Sequence, residues 1–191
     1  MTSRVRTSLA VTLLLALGWG GRMAAAPAVP VDVQVALFVN IWKLDRNLDR
    51  PAGVTVAVLY QKQFEESVVQ KDEFLAAAAH AGTSIHCIAV EVGSQALLLS
   101  RLAEVTADIV YVTPLRSVNI ADVARLSRER RMRTITGVPE YVDAGLAVGI
   151  GLHKNRPLII INVVASRLEG AAFSSQLLNL ARIVGPLGLP Q

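Results

Sequence analysis

The residue types that most often carry out chemistry are few and widely separated in this sequence. The three histidines, His80, His86 and His153, lack the i, i+4 spacing with an adjacent glutamate that a helical zinc site uses. Cys87 is the only cysteine, which excludes an internal disulfide and a cysteine-based zinc site. The sequence has no G-x-S-x-G motif and no other arrangement typical of a nucleophile with its base. We therefore predict that the protein is not an enzyme and holds no metal or cofactor.

Two smaller features have ordinary structural interpretations. Cys87 lies in an apolar stretch, which predicts a small buried thiol, with intermolecular pairing or redox sensing as the alternative. Gly149-Ile150-Gly151 shares two glycines with a dinucleotide-binding loop, but no third glycine follows. This segment has the pattern of a strand, not of a strand-to-helix turn, so its context argues against a nucleotide site.

The ends of three expected strands carry the polar groups that could line a ligand crevice. In a doubly wound sheet, the loops at the carboxyl ends of parallel strands form the natural crevice. The candidate lining residues at these ends are Tyr60, Gln61, Thr113, Pro114, Thr136 and Gly137. They offer hydroxyls, an amide and backbone groups, but no acid–base pair, so they suggest binding without a reaction. The alternative is that they are ordinary turn residues.

The densest charged feature is a run of arginines at the carboxyl end of an expected helix, comprising Arg125, Arg128, Arg130, Arg131 and Arg133. Positive side chains complement the helix dipole there, so a solvated helix face is one interpretation. The functional alternative is a contact surface for an acidic partner, for which the candidates are Arg125, Arg128 and Arg131.

The elements that must position these residues alternate along the chain. β-Branched and apolar runs predict strands at 54–60, 85–92, 108–113, 133–138, 146–152 and 158–163. Helical spacing and capping residues predict helices at 31–48, 63–81, 94–105, 119–131 and 174–184. The order predicts an α/β fold: a single three-layer domain with a mostly parallel sheet, an antiparallel edge hairpin and helices on both faces.

The amino terminus predicts export from the cytoplasm. Residues 1–28 have two early arginines, an apolar core from Leu9 to Leu17 and small residues near a cleavage position between Ala25 and Ala28. We therefore predict a cleaved signal peptide at 1–28, a single domain at 29–191 and a periplasmic protein. No later apolar run is long enough to span a bilayer, so no membrane insertion is expected after cleavage.

Removal of the signal peptide also changes the interpretation of the charge. The whole chain of 191 residues has 19 basic and 15 acidic residues, which gives a net charge of +4. Residues 1–28 contain three arginines and no acid, so the mature chain has 16 basic and 15 acidic residues and a net charge of +1. This near-neutral charge gives no reason to expect a nucleic-acid partner.

Two stretches of the carboxy-terminal third are specific enough to indicate a family. They are TITGVPEYVDAGLAVG at 134–149 and RPLIIINVVASRLEGAAFSSQLLNLARIV at 156–184. The second joins a strand that ends in an Ile-Asn-hydrophobic step to a glycine and a Ser-Ser-x-Leu-Leu-x-Leu-Ala helix. In these features the chain resembles the YfiR-like (HmsC-like) periplasmic proteins, and the earlier elements follow the same order.

The resemblance implies a periplasmic regulator that represses an inner-membrane diguanylate cyclase by binding its periplasmic portion, with effects on cyclic-di-GMP signalling and biofilm formation. Its expected partner is a membrane-bound signalling protein with a periplasmic domain, and a homodimer is also expected. Two departures are visible. Members of the family use paired cysteines, whereas this chain has Cys87 alone, and the Trp-Pro pair after the first helix is replaced by Trp42-Lys43.

The same residues also have structural explanations. Gly145 and Gly170 are expected at bends, Ser174 as a helix cap, and Asn162 as a hydrogen-bond partner of the adjoining backbone. Two other functions stay open from the sequence. One is a periplasmic small-ligand receptor that resembles one lobe of a transporter's binding protein, and the other is an enzyme whose site is assembled from scattered residues.

Overall fold

The computed structural model describes residues 28–48, 50–82 and 84–185. The predicted signal peptide, except Ala28, lies outside the described residues. The described chain forms seven helices: α1 (Val31–Lys43), α2 (Glu65–Ala79), α3 (Gln95–Glu104), α4 (Ile120–Glu129), α5 (Glu140–Asp143), α6 (Val163–Leu168) and α7 (Ser175–Leu180). It also forms seven strands: β1 (Val54–Tyr60), β2 (Ile85–Glu91), β3 (Ile109–Val112), β4 (Arg133–Thr136), β5 (Val148–His153), β6 (Arg156–Asn162) and β7 (Arg182–Val184).

The strands form one sheet in the order β2-β1-β3-β4-β5-β6-β7. All neighbouring pairs are parallel except β5 and β6, which form an antiparallel hairpin. The hairpin turn consists of Lys154 and Asn155, and both have positive φ. Two-residue turns need this conformation in order to match the twist of the two strands. The predicted α/β fold with a mostly parallel sheet is therefore confirmed.

The sheet is covered on both faces, so its central strands β1 and β3 are mostly apolar, whereas β4 carries buried polar side chains. In β1, Val56 and Val58 pack into the core beneath α1 and α2, whereas Ala57 and Leu59 pack into the core beneath α3 and α4. The pleat sends alternate side chains to opposite faces, which explains why the four residues from Val56 to Leu59 are all apolar.

The structure differs from the prediction mainly at the carboxy-terminal edge. The predicted helix at 174–184 is wrong beyond Leu180, because Ala181 is extended and the next three residues pair in parallel with β6 as β7. The hairpin is therefore next to the edge, and β7 forms the edge itself. Helices α5 and α6 were not predicted, since four and six residues are too short for a periodic apolar pattern.

Within the described part of the chain, no helix has both the length and the apolar character needed to cross a membrane.

Candidate functional site

The predicted lining residues meet at the carboxyl edge of the sheet. After β1 the chain passes through α2 to β2, and it returns through α3 to β3 on the other side of β1. The connections therefore diverge between β1 and β3, which is where α/β sheets usually bind ligands. Gln61 follows β1, Thr113 follows β3, and Thr136 ends β4.

The side chain of Gln61 bridges the loop after β1 and the loop after β3. Its side-chain Nε2 donates to Ser117 Oγ at 2.6 Å, and its Oε1 accepts from the backbone N–H groups of Arg116 at 2.9 Å and Ser117 at 3.3 Å. Gln61 is buried, and all three bonds span more than fifty residues of sequence. Its amide is therefore engaged in joining the two loops.

A chain of buried hydroxyls continues from the backbone of Gln61. The N–H of Gln61 donates to Ser67 Oγ at 2.8 Å, Ser67 Oγ lies 2.6 Å from Thr113 Oγ1, and Thr113 Oγ1 donates to Leu59 O at 2.8 Å. Because the Thr113 proton points to Leu59, Ser67 must be the donor to Thr113. Every polar atom of this chain has a partner, so it fixes the first turn of α2 to the ends of β1 and β3.

The end of β4 is equally constrained. Thr136 Oγ1 donates to Val112 O at 2.8 Å and accepts from Val138 N at 3.0 Å. A Cβ at Gly137 would lie 2.3 Å from Oε1 of the buried Gln34, so a side chain there would displace that residue. Gln34 accepts a hydrogen bond from Tyr111, whose pKa is raised first by burial and second by Glu73. Gly137 is thus explained by close packing.

Aromatic rings and cations surround the same edge. The guanidinium of Arg116 lies 3.9 Å from the centre of the Phe64 ring, and Lys71 Nζ lies 5.1 Å from that of Tyr60. Pro114 is half-buried, and the residue after it is held at both backbone groups by Tyr141, whose hydroxyl accepts from Leu115 N and donates to Leu115 O.

Six further residues complete this edge, and no sequence pattern predicted them: Gln34, Phe64, Ser67, Arg116, Ser117 and Tyr141. Their common signal is weak, because each is an ordinary helix or loop residue whose role depends on distant chain segments.

The predicted arginine surface is divided by the structure. Arg125 is exposed and pairs with Asp122 and Glu129 of its own helix, and Arg131 is exposed with a positive φ of 53°. Arg128 is half-buried and donates to Gly145 O at 2.7 Å, so it holds the loop before β5. Arg130 likewise donates to Ala103 O and Val105 O. Only Arg125 and Arg131 of the three candidates are therefore exposed.

The amino edge of the sheet contains a buried ionic cluster that no sequence pattern indicated. Arg133 Nε donates to Asp45 Oδ2 at 2.6 Å, and the opposite oxygen of Asp45 accepts from the N–H groups of Asn47 and Ala172. Both partners of this pair are buried, and they join α1's trailing loop to β4 and the carboxy-terminal segment.

Glu169 is the second member of this cluster. Its carboxyl group accepts hydrogen bonds of 2.7 Å from both the N–H and the hydroxyl of Thr134. Burial raises the pKa of Glu169 to about 8, although the Thr134 bonds and the charges of Arg128 and Arg133 lower it. The group is therefore largely protonated at neutral pH and titrates near physiological pH.

The carboxy-terminal residues occupy the predicted structural roles. Gly145 and Gly170 have φ values of 112° and 90°, which side chains rarely adopt. Ser174 accepts from Leu177 N at the start of α7, and Asn162 accepts from Ala165 N at the start of α6. The predicted bends and both predicted backbone hydrogen bonds are confirmed.

The histidines and Cys87 are separate from these clusters. His80, His86 and His153 are exposed, and no group of three or more His, Cys, Asp or Glu residues in the described ranges is arranged to hold a metal ion. Cys87 lies on the edge strand β2 and is only half-buried, so the predicted buried thiol is corrected to a partly exposed one. Partial burial raises its pKa, which disfavours the reactive thiolate.

Solved structures with a similar fold include proteins that bind solutes. A domain from Streptococcus pneumoniae described as an ABC domain in complex with L-Trp has a TM-score of 0.62 and 15% identity, and the match covers 81% of this chain and 62% of that one. A conserved domain protein from Vibrio cholerae has a TM-score of 0.64 and 16% identity, with 82% and 60% covered.

A ligand-free, open substrate-binding protein with adhesive properties from Clostridium difficile gives the same TM-score of 0.64, also at 16% identity and with 82% and 60% covered. This chain thus spans about three fifths of the length of these structures. At these identities the likeness shows the fold alone.

Sequence comparison is more specific about the family. No curated protein matches the chain. The model of the YfiR/HmsC-like family matches residues 33–182, a range that includes the stretch at 134–149 and the stretch at 156–184 as far as Arg182. The chain belongs to the YfiR/HmsC-like family.

Proposed function

We propose that this protein is a non-catalytic periplasmic repressor of an inner-membrane diguanylate cyclase, and that it acts by binding the periplasmic portion of the cyclase. Membership of the YfiR/HmsC-like family supports a periplasmic regulatory role in general. The choice of a cyclase as target extends what the family resemblance implies to this chain.

The observation that carries the proposal is the distribution of exposed apolar side chains. Large apolar residues of α6, α7 and β7 are between 41% and 67% exposed, and they are Val164, Leu168, Leu180 and Ile183. These elements follow the Ile-Asn step that is typical of the family. Val164 and Leu168 share one face of α6, because residues four apart on a helix are neighbours. Exposed large apolar residues that recur in consecutive elements are candidates for a protein contact surface.

The carboxyl-edge crevice supports the same conclusion. The side chains of Gln61, Ser67 and Thr113 already bond to one another or to the backbone, as described above. A solute that used them would have to break those bonds, whereas a protein partner could bind the exposed surface and leave them intact.

The test combines the chain with its candidate cyclase in one host and measures cyclic-di-GMP. We expect the wild-type protein to lower the nucleotide level, and Leu168→Asp with Leu180→Asp to abolish this effect because two charges would be buried at the contact. Val69→Asp is the matched control, since Val69 is 48% exposed on α2. Equal repression by all variants, or none by the wild type with any co-encoded cyclase, would contradict the proposal.

The alternative function is a periplasmic receptor for a small solute. The fold likeness to the L-Trp complex and to the substrate-binding protein favours it. A thermal-shift screen of amino acids and other small solutes distinguishes the two functions, because a bound ligand stabilises the folded state in proportion to the logarithm of its concentration over Kd. A reproducible rise in Tm that is lost in Gln61→Ala would favour the receptor.

A further inference from the structure

A second cavity lies at the end of the sheet opposite the crevice. It has a volume of about 610 Å³ and lies between the last turn of α1, the loop that follows and the start of β1. Its apolar walls are formed by Val39, Trp42, Leu48, Pro51 and Val54. The charged side chains at this cavity come from Lys43, Asp45, Arg46 and Arg50.

The charges at this cavity are not balanced locally. Asp45 is neutralised by the buried Arg133, and Arg50 pairs with Asp108 at 2.8 Å. Lys43 and Arg46 are exposed and form no ion pair with any residue in the described part of the chain. Segment 43–50 has three basic and two acidic residues, counting Asp49, which lies outside the described residues. The two unpaired cations favour an anionic ligand.

The indole of Trp42 adds an unused hydrogen-bond donor. Trp42 is 6% exposed, and its Nε1–H is buried without a partner among the described residues. A buried indole N–H normally finds an acceptor, so this orphan donor is unusual in a residue that lines the cavity.

The walls of the cavity are held in place by the rest of the fold. Arg46 N donates to Ala172 O at 3.1 Å, Asn47 Nδ2 donates to Gly170 O at 3.0 Å, and Ser174 N donates to Leu44 O at 3.1 Å. The loop after α1 is thereby fixed to the segment between α6 and α7. A cavity with fixed walls binds without first having to order its own loop.

We infer that this cavity binds an organic anion that has an apolar body and a carboxylate or equivalent oxyanion, with Lys43 and Arg46 facing the charge and Trp42 contacting the body. The inference does not depend on repression of a cyclase, and it concerns the end of the sheet away from Gln61. Aromatic and aliphatic carboxylates have the required chemistry.

The test uses 1-anilinonaphthalene-8-sulfonate as the anionic probe and N-phenyl-1-naphthylamine as its uncharged analogue. Trp42 is the only tryptophan of the mature chain that we expect after removal of residues 1–28, because Trp19 lies within them. We expect the anionic probe to quench Trp42 emission by energy transfer, to saturate, and to bind about tenfold more tightly than the neutral probe at low salt.

The charge variants decide the outcome. Lys43→Gln with Arg46→Gln should remove the preference for the anion and leave binding of the neutral probe unchanged. Lys62→Gln with Arg156→Gln is the matched control, because both residues are exposed at the other end of the sheet. Equal binding of the two probes, an anion preference that survives in the first variant, or absence of quenching in a folded protein would each overturn the inference. Equal Tm values establish that both variants are folded.

Discussion

The two ends of the sheet are held together by different chemistry. At the carboxyl ends of β1, β3 and β4, the long-range bonds join neutral amides and hydroxyls, as in Gln61 with Ser117 and Ser67 with Thr113. At the amino ends they join ionisable groups, as in Asp45 with Arg133. Neutral hydrogen bonds do not titrate, whereas buried ionisable groups change protonation with pH. We therefore expect the stability provided by the carboxyl end of the sheet to be independent of pH, and that provided by the amino end to change with pH.

The largest loss of stability is expected from Asp45→Ala. This change leaves the charge of Arg133 buried without its partner and removes the acceptor for Asn47 N and Ala172 N. Removing one partner of a buried ion pair typically destabilises a protein by about 3–5 kcal/mol, because the remaining charge is uncompensated. Urea denaturation monitored by circular dichroism measures the free energy of unfolding.

The control for Asp45 is Glu129→Ala. Glu129 pairs with the exposed Arg125 on α4, and exposed pairs contribute little because water screens them. A similar loss in the two variants would show that the amino-end cluster has no special importance for stability.

The next effect is a dependence of stability on pH that originates at Glu169. Its pKa is about 8 in the folded protein, against an ordinary value of 4.5. Between pH 4.5 and about pH 8, the folded state therefore keeps a proton on Glu169 that the unfolded state has lost. The stabilisation that this proton gives to the folded state is fully present below pH 4.5 and disappears as the pH rises to about 8. The slope for one proton is at most about 1.4 kcal/mol per pH unit.

The variant Glu169→Gln isolates this contribution. Glutamine is neutral at every pH and keeps an acceptor for Thr134 N, so stability should lose the part of its pH dependence that lies between pH 5 and 8. Denaturation at several pH values compares the two proteins. Parallel curves for wild type and variant would mean that Glu169 is ionised in the folded state at neutral pH.

The sequence was sufficient to predict most of the fold because the central strands carry a strong local pattern. The strand predicted at 54–60 coincides with β1, since an uninterrupted β-branched run between a glycine and a polar residue has few other structures. The prediction of a helix over 182–184 was wrong because the pairing of this segment with β6 is a long-range interaction. The preceding leucines favoured continuation of the helix. The burial of Cys87 was overestimated for a related reason, because an apolar run does not indicate whether its strand is central or at an edge of the sheet.

The candidate site could be located from the sequence but not described. The rule for parallel strands correctly placed Gln61, Thr113 and Thr136 at one edge. It did not show that Gln61 would bond across the gap to Ser117, since that contact depends on the conformation of a loop 56 residues away. Glu169 gave no signal at all, because a glutamate before a glycine is typical of an exposed helix end.

A smaller effect is expected at the carboxyl end, from Gln61→Ala. The change leaves the N–H groups of Arg116 and Ser117 without their acceptor, and each lost neutral bond contributes about 1 kcal/mol. We expect a loss of about 1–2 kcal/mol that is the same at pH 5 and pH 8. Gln63→Ala is the control, because that neighbouring residue is exposed. A loss that varied with pH would contradict the distinction between the two ends.

The smallest effect on stability is expected from Arg125→Gln, and this variant separates structural arginines from a contact surface. Arg125 is exposed and its two ion pairs lie within α4, so water largely screens them and the free energy of unfolding should not change measurably. Arg128→Gln should be destabilising by comparison, because it loses the bond to Gly145 O beneath the surface. If Arg125→Gln nevertheless weakens repression of the cyclase, the exposed arginines belong to the contact surface. If repression persists, the side chain of Arg125 does not contribute to the contact surface.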